Sequence, residues 1–219
     1  MSARSADYLE AIEHLPAGAT LVIPGVKWNQ FEELLQRLES RPGFRVAFDD
    51  GRLKVMSPLR EHEQHKEFIS DIARVLSEEY GLPLEKLGST TWRRKGLAKA
   101  VEADASFYVT NAVRISGKRT IDLESDPPPD IVVEVDVTNE SLDKLRIYAA
   151  LGVPEIWRYD GKQARIYRLF KGVYSETRNS ALFSSLSGLL LTEFLDLAKA
   201  TDQTSALRKV RDRLRQDRA

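Results

Sequence analysis

The sequence contains no cysteine, and this absence excludes two kinds of site. Without thiols the chain forms neither disulfide bonds nor thiolate-ligated metal centres, which also fits a reducing compartment. No run of about 18 apolar residues is present either, so no transmembrane helix is expected. The first residues, MSARSADYLEAIEHLP, lack an apolar core followed by a small-residue cleavage site. We therefore expect no signal peptide and a cytoplasmic location.

The chain also lacks a net charge, because 33 Lys and Arg residues balance 33 Asp and Glu residues. A zero sum does not exclude a nucleic-acid partner, since local patches set the field that a phosphate backbone meets. With 219 residues, 42% of them hydrophobic, the chain has the size and composition of one globular domain.

Its end, SALRKVRDRLRQDRA, predicts a basic helical tail at 201–219, either solvated or in contact with nucleic acid or a partner subunit.

Local patterns predict a mixed α/β fold. WNQFEELLQRLES has the spacing of an amphipathic helix, and FRVAF and RLKVMS, joined by Asp50-Gly51, predict a β-hairpin. A long helix is expected from Glu61 to Tyr80, ended by Gly81. One stripe of that helix consists of His62, His65, Ile69, Ile72 and Leu76. Its C-terminal part indicates core, and its N-terminal end turns polar at the two histidines.

The second half of the chain predicts most of the sheet. Three strands are expected at LEKLGSTTW, VEADASFYV and DIVVEVDV, with a polar loop between the last two that is too rich in proline and charge for the core. A helix follows at about 141–151, and PEIWRYD, QARIYRLF and VYSETR predict an antiparallel meander. The apolar stretch 181–199 predicts a loop and a short helix.

Acidic side chains interrupt two of these strands. Alternation places Glu102 and Asp104 on one face of the first strand, and Glu134 and Asp136 on one face of the second. DIVVEVDV is otherwise almost wholly apolar, as is typical of a central strand buried on both faces, where carboxylates are costly unless they are compensated. If the two strands are neighbours, these carboxylates can converge on one divalent cation, because hard cations prefer carboxylate oxygens.

A lysine follows the second strand at a useful distance. Lys144 lies ten residues after Glu134, at the start of the next helix, which is expected to pack back onto the sheet. From there it can reach the carboxylates and offer an ammonium group to a phosphate oxygen or to an attacking water.

These segments resemble the PD-(D/E)XK nuclease superfamily, and within it the Uma-two family of restriction-endonuclease-like proteins. The resemblance rests on GRLKVMSPLREHEQH, GSTTWRRKGLAKAVEADASFYV and PPPDIVVEVDVTNESLDKLRIYAALGVPEIWRYDG, in this order. It implies a restriction-endonuclease-like α/β fold, a central mixed β-sheet flanked by helices, in a nuclease domain at 1–200 with its core at about 28–195. It also implies an endonuclease of the hydrolase class that cuts nucleic acid, with DNA the expected substrate. We expect a homodimer, because cutting two strands needs two sites.

By resemblance, Asp104 is the motif aspartate and Glu134 the motif glutamate. The family's lysine normally stands two residues after the glutamate, where this chain has Asp136, and its role passes to Lys144 in the next helix. The resemblance implies that Asp104 and Glu134 hold Mg²⁺, with Mn²⁺ as a substitute, and that Asp136 supports a second, weaker metal. His62 and Glu63 lie on the long helix, where superfamily members often carry a further site residue. His62 is the candidate there.

Plainer interpretations of the same residues stay open. Glu134 could form a structural ion pair with Lys144 or Arg146, Asp136 could cap the following turn, and Glu102 is expected to be a surface carboxylate. His65 is expected to serve packing. The chain could accordingly be a catalytically silent nucleic-acid-binding protein, or an assembly protein whose C-terminal helix drives association.

Overall fold

The computed structural model of the chain describes residues 3–38, 43–136 and 142–216. These residues form seven α-helices and eleven β-strands. The helices are α1 Ala3–Glu13, α2 Trp28–Leu38, α3 Arg60–Tyr80, α4 Ala112–Ile115, α5 Leu142–Leu151, α6 Gly188–Ala200 and α7 Gln203–Gln216. The strands are β1 Thr20–Ile23, β2 Arg45–Asp49, β3 Arg52–Met56, β4 Glu85–Lys86, β5 Thr91–Arg94, β6 Lys99–Glu102, β7 Ala105–Tyr108, β8 Ile131–Val135, β9 Glu155–Tyr159, β10 Ala164–Phe170 and β11 Val173–Thr177.

The strands build two sheets. The first is antiparallel, in the order β1-β3-β2-β6-β5. The second has the order β11-β10-β9-β8-β7-β4 and is mixed, because β8 and β9 are parallel while its other pairs are antiparallel. Helices α3, α6 and α7 pack on one face of this mixed sheet and α5 on the other. The predicted fold class, a central mixed sheet flanked by helices, is confirmed.

Three local predictions, each made from a short sequence signal, are confirmed by the structure. The β2–β3 hairpin turns at Asp50 and Gly51, both with positive φ, as a two-residue hairpin turn requires. Helix α3 ends at Gly81 in the left-handed conformation, with its N–H on the carbonyl of Glu78. All five residues of β8 are buried, which confirms a central strand covered on both faces.

Two segments that were each predicted to be one strand are divided in the structure between the two sheets. VEADASFYV breaks at Ala103-Asp104, so that β6 belongs to the antiparallel sheet and β7 to the mixed sheet. LEKLGSTTW likewise divides into β4 and β5. The apolar-polar alternation of the sequence runs on through the first break, so the pattern alone could not reveal the change of sheet. In the structure Ala103 and Ala105 are both fully buried, but Ala103 packs with the residues around α5 and Ala105 with those around α3.

Two segments expected at the surface are partly buried. Helix α7 packs against α3 through Ala206, Val210 and Leu214, which recur every four residues along one stripe, so it is not a solvated tail. The loop between β7 and β8 carries α4 and buries Ala112, Ile115 and Leu123. The stretch expected to be a loop and short helix contains α6, which has 13 residues. None of the helices in the described ranges is long and apolar enough to cross a bilayer.

Candidate active site at the junction of the two sheets

Asp104 lies where the chain leaves the antiparallel sheet and enters the mixed one. Its N–H donates to the carbonyl of Val133 at 3.2 Å, and its Oδ2 accepts from the N–H of Val135 at 2.8 Å. The side chain, only 2% exposed as a residue, is therefore fixed against the end of β8. Because β7 and β8 are hydrogen-bonded neighbours, Asp104 is placed opposite the segment that carries Glu134.

Glu134 projects from β8 toward α5 and is also 2% exposed. Its Oε2 accepts from Lys144 Nζ at 2.6 Å, and its Oε1 accepts from the hydroxyl of Tyr148. Lys144 and Tyr148 stand four residues apart on α5, so they share one face of that helix. The expectation that Lys144 reaches the carboxylates is thus met in the geometry, with its Nζ also 3.5 Å from the carbonyl of Glu102.

Burial and neighbouring charge set the protonation of this group. Burial raises the pKa of Glu134 to about 8; Lys144 opposes the rise, and the charges of Asp104 and Asp136 add to it. Burial by itself lowers the pKa of Lys144, but the charges of Glu134 and Asp104 outweigh it and the pKa is raised. Burial and the Glu134 charge raise the pKa of Tyr148 well above its usual value. Lys144 therefore remains an ammonium ion, whereas burial makes the ionisation of Glu134 costly and Lys144 offsets that cost only in part.

Asp136 is engaged elsewhere. Its Oδ2 accepts from Arg158 Nε at 2.8 Å, and Arg158 lies on β9 beside Glu134 in the parallel register. This ion pair offsets the Asp136 charge, and a role for Asp136 in holding a second metal stays a prediction. Its charge is still felt at Glu134. The turn that Asp136 was suggested to cap includes residues 137–141, which lie outside the described residues.

Arg45, which the sequence analysis did not single out, is a further residue of the site. From β2 its guanidinium contacts Asp104 Oδ1 at 3.3 Å, Glu102 Oε1 at 3.3 Å and Glu63 Oε1 at 2.6 Å. The available signal was a single charge in the otherwise buried strand FRVAF, the same signal that marked Glu134. Glu102, expected at the surface, is in fact largely buried through this contact, and burial raises its pKa although Arg45 and Lys144 oppose the rise.

The two histidines of α3 are both buried, as their stripe predicts. The His65 ring packs edge-on against Tyr159 at 5.0 Å and lies 3.4 Å from Glu61, which agrees with a packing role. His62 lies at the N-terminal end of the same face. This face of α3 packs against the side of the mixed sheet formed by Val133 and Val135, whereas Glu134 projects from the opposite side. The catalytic role of His62 stays a prediction.

The donor set fits one hard divalent cation. Mg²⁺ takes one or two carboxylates and keeps several waters, and two deeply buried carboxylates lie here, Asp104 and Glu134, with the charge of Asp104 adding to the cost of ionising Glu134. No group of three or more His, Asp or Glu side chains with metal-binding geometry occurs within 3–38, 43–136 and 142–216. A cation would thus be held by these two carboxylates, a backbone carbonyl near Val135 and water, rather than by a closed protein cage.

Comparison with known proteins gives the family. No curated protein matches the sequence. A crystal structure from Anabaena variabilis, described as "a putative nuclease belonging to DUF820", is similar with a TM-score of 0.46 and 14% identity, covering 68% of this chain and 89% of that chain. The family model of Uma2, described as "Putative restriction endonuclease", matches residues 28–199. That range is most of the chain, and the chain belongs to the Uma2 family.

Proposed function

We propose that the chain is a Mg²⁺-dependent endonuclease that hydrolyses phosphodiester bonds in DNA. One observation supports this most strongly: Asp104 and Glu134, on adjoining segments of one sheet, are buried together with the ammonium group of Lys144 beside them. Membership of a family described as restriction endonucleases supports the same reaction class. Mg²⁺, when bound, would supply positive charge that polarises a phosphate oxygen and acidifies water.

The side chains of the site would then have distinct roles in binding the cation and in positioning the reacting groups. Asp104 and Glu134 would bind the cation, and Lys144 would hold the attacking water and offset the charge that develops on the phosphate. Tyr148 orients Glu134 through its second oxygen, and Arg45 orients Asp104. In the reaction a water oxygen bonds to phosphorus, the bond from phosphorus to the leaving sugar oxygen breaks, and that oxygen takes up a proton.

A plasmid-cleavage assay tests the proposal. The wild-type protein should nick or linearise supercoiled DNA with Mg²⁺ or Mn²⁺, and EDTA should stop it. Asp104→Asn and Glu134→Gln, which keep size while removing charge, should each abolish cleavage with the fold retained by circular dichroism. Mg²⁺-dependent cleavage by both variants at the wild-type rate would refute the assignment.

A catalytically silent nucleic-acid-binding or assembly protein is the second candidate, and one observation favours it. Each site carboxylate already has a cationic partner in the chain: Glu134 has Lys144, Asp104 has Arg45 and Asp136 has Arg158. Under this alternative, millimolar Mg²⁺ would neither bind, by calorimetry, nor raise the thermal unfolding midpoint. Static light scattering would decide whether the chain forms the proposed homodimer.

A further inference from the structure

A cleft of about 650 Å³ opens beside the candidate site, on the side of Arg45. Helix α2, strand β2, the start of α3 and residues of β5 and β6 line it. Apolar side chains such as Leu35, Leu38 and Phe44 form one wall. The polar lining includes Arg45, which also contacts Asp104, so the cleft and the candidate site share a side chain.

Two buried cations in this cleft converge on a single, half-exposed carboxylate. Arg45 and Lys66 are each only 7% exposed. Arg45 Nη2 lies 2.6 Å from Glu63 Oε1, and Lys66 Nζ lies 2.5 Å from Glu63 Oε2. The Glu63 side chain is 42% exposed, so its oxygens face the two cations while the rest of the side chain borders solvent.

This arrangement has the geometry of anion recognition. Proteins bind carboxylates and phosphates in this way, with a guanidinium fork and an ammonium group that face two oxygens of one anionic group. Burying both cations is costly unless anions compensate them, and Glu63 contacts both of them. Because the Glu63 side chain is 42% exposed, a phosphate can approach this position from solvent without opening the core.

We propose that Arg45 and Lys66 form a subsite for a backbone phosphate of the nucleic-acid substrate, and that Glu63 occupies this subsite until the substrate displaces it. The inference rests on the proposed function and adds to it a second phosphate contact next to the scissile one. The apolar wall of the cleft then lies where the sugar or base attached to that phosphate would pack.

The carboxylates around the two cations explain why Glu63 must be displaced when a phosphate binds. Arg45 also contacts Glu102 and Asp104, each at 3.3 Å, and Lys66 also contacts Glu67 at 3.2 Å. Glu63 faces both cations at once, so its charge opposes a phosphate at this position most directly. Removal of the Glu63 charge therefore strengthens binding, whereas removal of a cation weakens it.

Binding of a fluorescent DNA duplex in EDTA, measured by anisotropy over a range of KCl concentrations, tests the subsite without catalysis. Glu63→Gln should bind about three- to tenfold more tightly than wild type. Lys66→Met should bind more weakly, with a salt slope shallower by about 1, the value for one lost phosphate contact. Arg45→Lys keeps the charge and should fold, but it loses the fork and should also bind more weakly.

Matched controls separate the subsite from general electrostatics. Glu67→Gln makes the same charge change on the same helix, also beside Lys66, but outside the cleft, and should tighten binding by clearly less than Glu63→Gln. Lys209→Met removes an exposed cation from α7 and should leave the slope unchanged.

Two results would overturn the subsite: Glu63→Gln binding no more tightly than Glu67→Gln, or an unchanged salt slope in Lys66→Met. Loss of Mg²⁺-dependent cleavage in Glu63→Gln with unaltered binding would do so too, because Glu63 would then serve the reaction directly. If the wild-type protein binds and cleaves DNA, and Glu63→Gln and Lys66→Met bind DNA as the wild type does, then the subsite proposal is wrong but the proposed function is not. If wild type binds no nucleic acid, the proposed function fails with it.

Discussion

Lys144 and Glu134 form a buried ion pair, with Nζ and Oε2 2.6 Å apart, at the point where α5 packs against the central strand β8. The pair places an ammonium group beside the two buried carboxylates although no lysine follows Glu134 at the usual spacing within β8. The pair also means that the buried carboxylates do not depend on a metal alone for compensation of their charge. Buried carboxylates need compensation, and the chain supplies part of it through Lys144 and Arg45 before any metal binds.

Replacing Lys144 separates its structural role from its chemical one. Lys144→Met should destabilise the fold by about 3–5 kcal/mol near pH 9, where Glu134 must either stay charged without its cationic partner or take up a proton, and by less near pH 5. Cleavage should fall by about 10²–10³-fold. Urea unfolding and plasmid cleavage measure the two effects.

The double variant Lys144→Met with Glu134→Gln is the control for this prediction. It removes both charges and should recover most of the lost stability, while remaining inactive. Wild-type cleavage rates in Lys144→Met would contradict the role given to Lys144.

The hydroxyl of Tyr148 is expected to contribute through Glu134 alone. Tyr148→Phe removes one hydrogen bond to a buried carboxylate and should cost about 1–3 kcal/mol of unfolding free energy. Cleavage should weaken but persist, because Asp104, Glu134 and Lys144 all remain. An effect on cleavage as large as that of Glu134→Gln would show that Tyr148 itself acts in the reaction.

His65 should make stability depend on pH below neutrality. Burial lowers the pKa of His65 from 6.5, although a hydrogen bond to Glu61 opposes this. The folded chain therefore binds fewer protons at this residue than the unfolded chain, so its contribution to stability is present above pH 6.5 and is lost as pH falls through the folded pKa.

The variant His65→Gln should accordingly lose less stability than wild type between pH 8 and pH 5. Urea unfolding at several pH values in that range measures the difference. Parallel curves for the two proteins would show that His65 does not titrate differently in the folded state.

The packing of α7 gives a prediction independent of the active site. Leu214 is fully buried against the core shared with α3, so Leu214→Ala should cost about 2–5 kcal/mol. The exposed Lys209 on the same helix is the matched control, and Lys209→Ala should change stability by less than about 0.5 kcal/mol. Equal, small effects at both positions would mean that the helix is solvated, as its charge alone suggested.

Elements with strong local signals could be predicted from sequence. The Asp50-Gly51 turn, the Gly81 helix end and the apolar run of β8 each depend on neighbours along the chain, and the structure has all three. The proximity of Asp104, Glu134 and Lys144 could be predicted because a strand, its neighbour and the following helix meet in a restricted geometry.

Features that depend on distant partners could not be predicted. The alternating sequence of VEADASFYV carries no mark of its division between two sheets, and the contacts of Arg45 span up to 59 residues. The stripe formed by Ala206, Val210 and Leu214 was present in the sequence, but the high charge of the surrounding residues favoured a solvated helix.

A crystal soaked in Mn²⁺ and measured for anomalous scattering tests the central claim most directly, since the claim is that one divalent cation binds between Asp104 and Glu134. The account predicts a single peak about 2.0–2.2 Å from an oxygen of each side chain, and its loss in Asp104→Asn. An empty site at millimolar Mn²⁺, with Glu134 still bound to Lys144 and Tyr148, would contradict it.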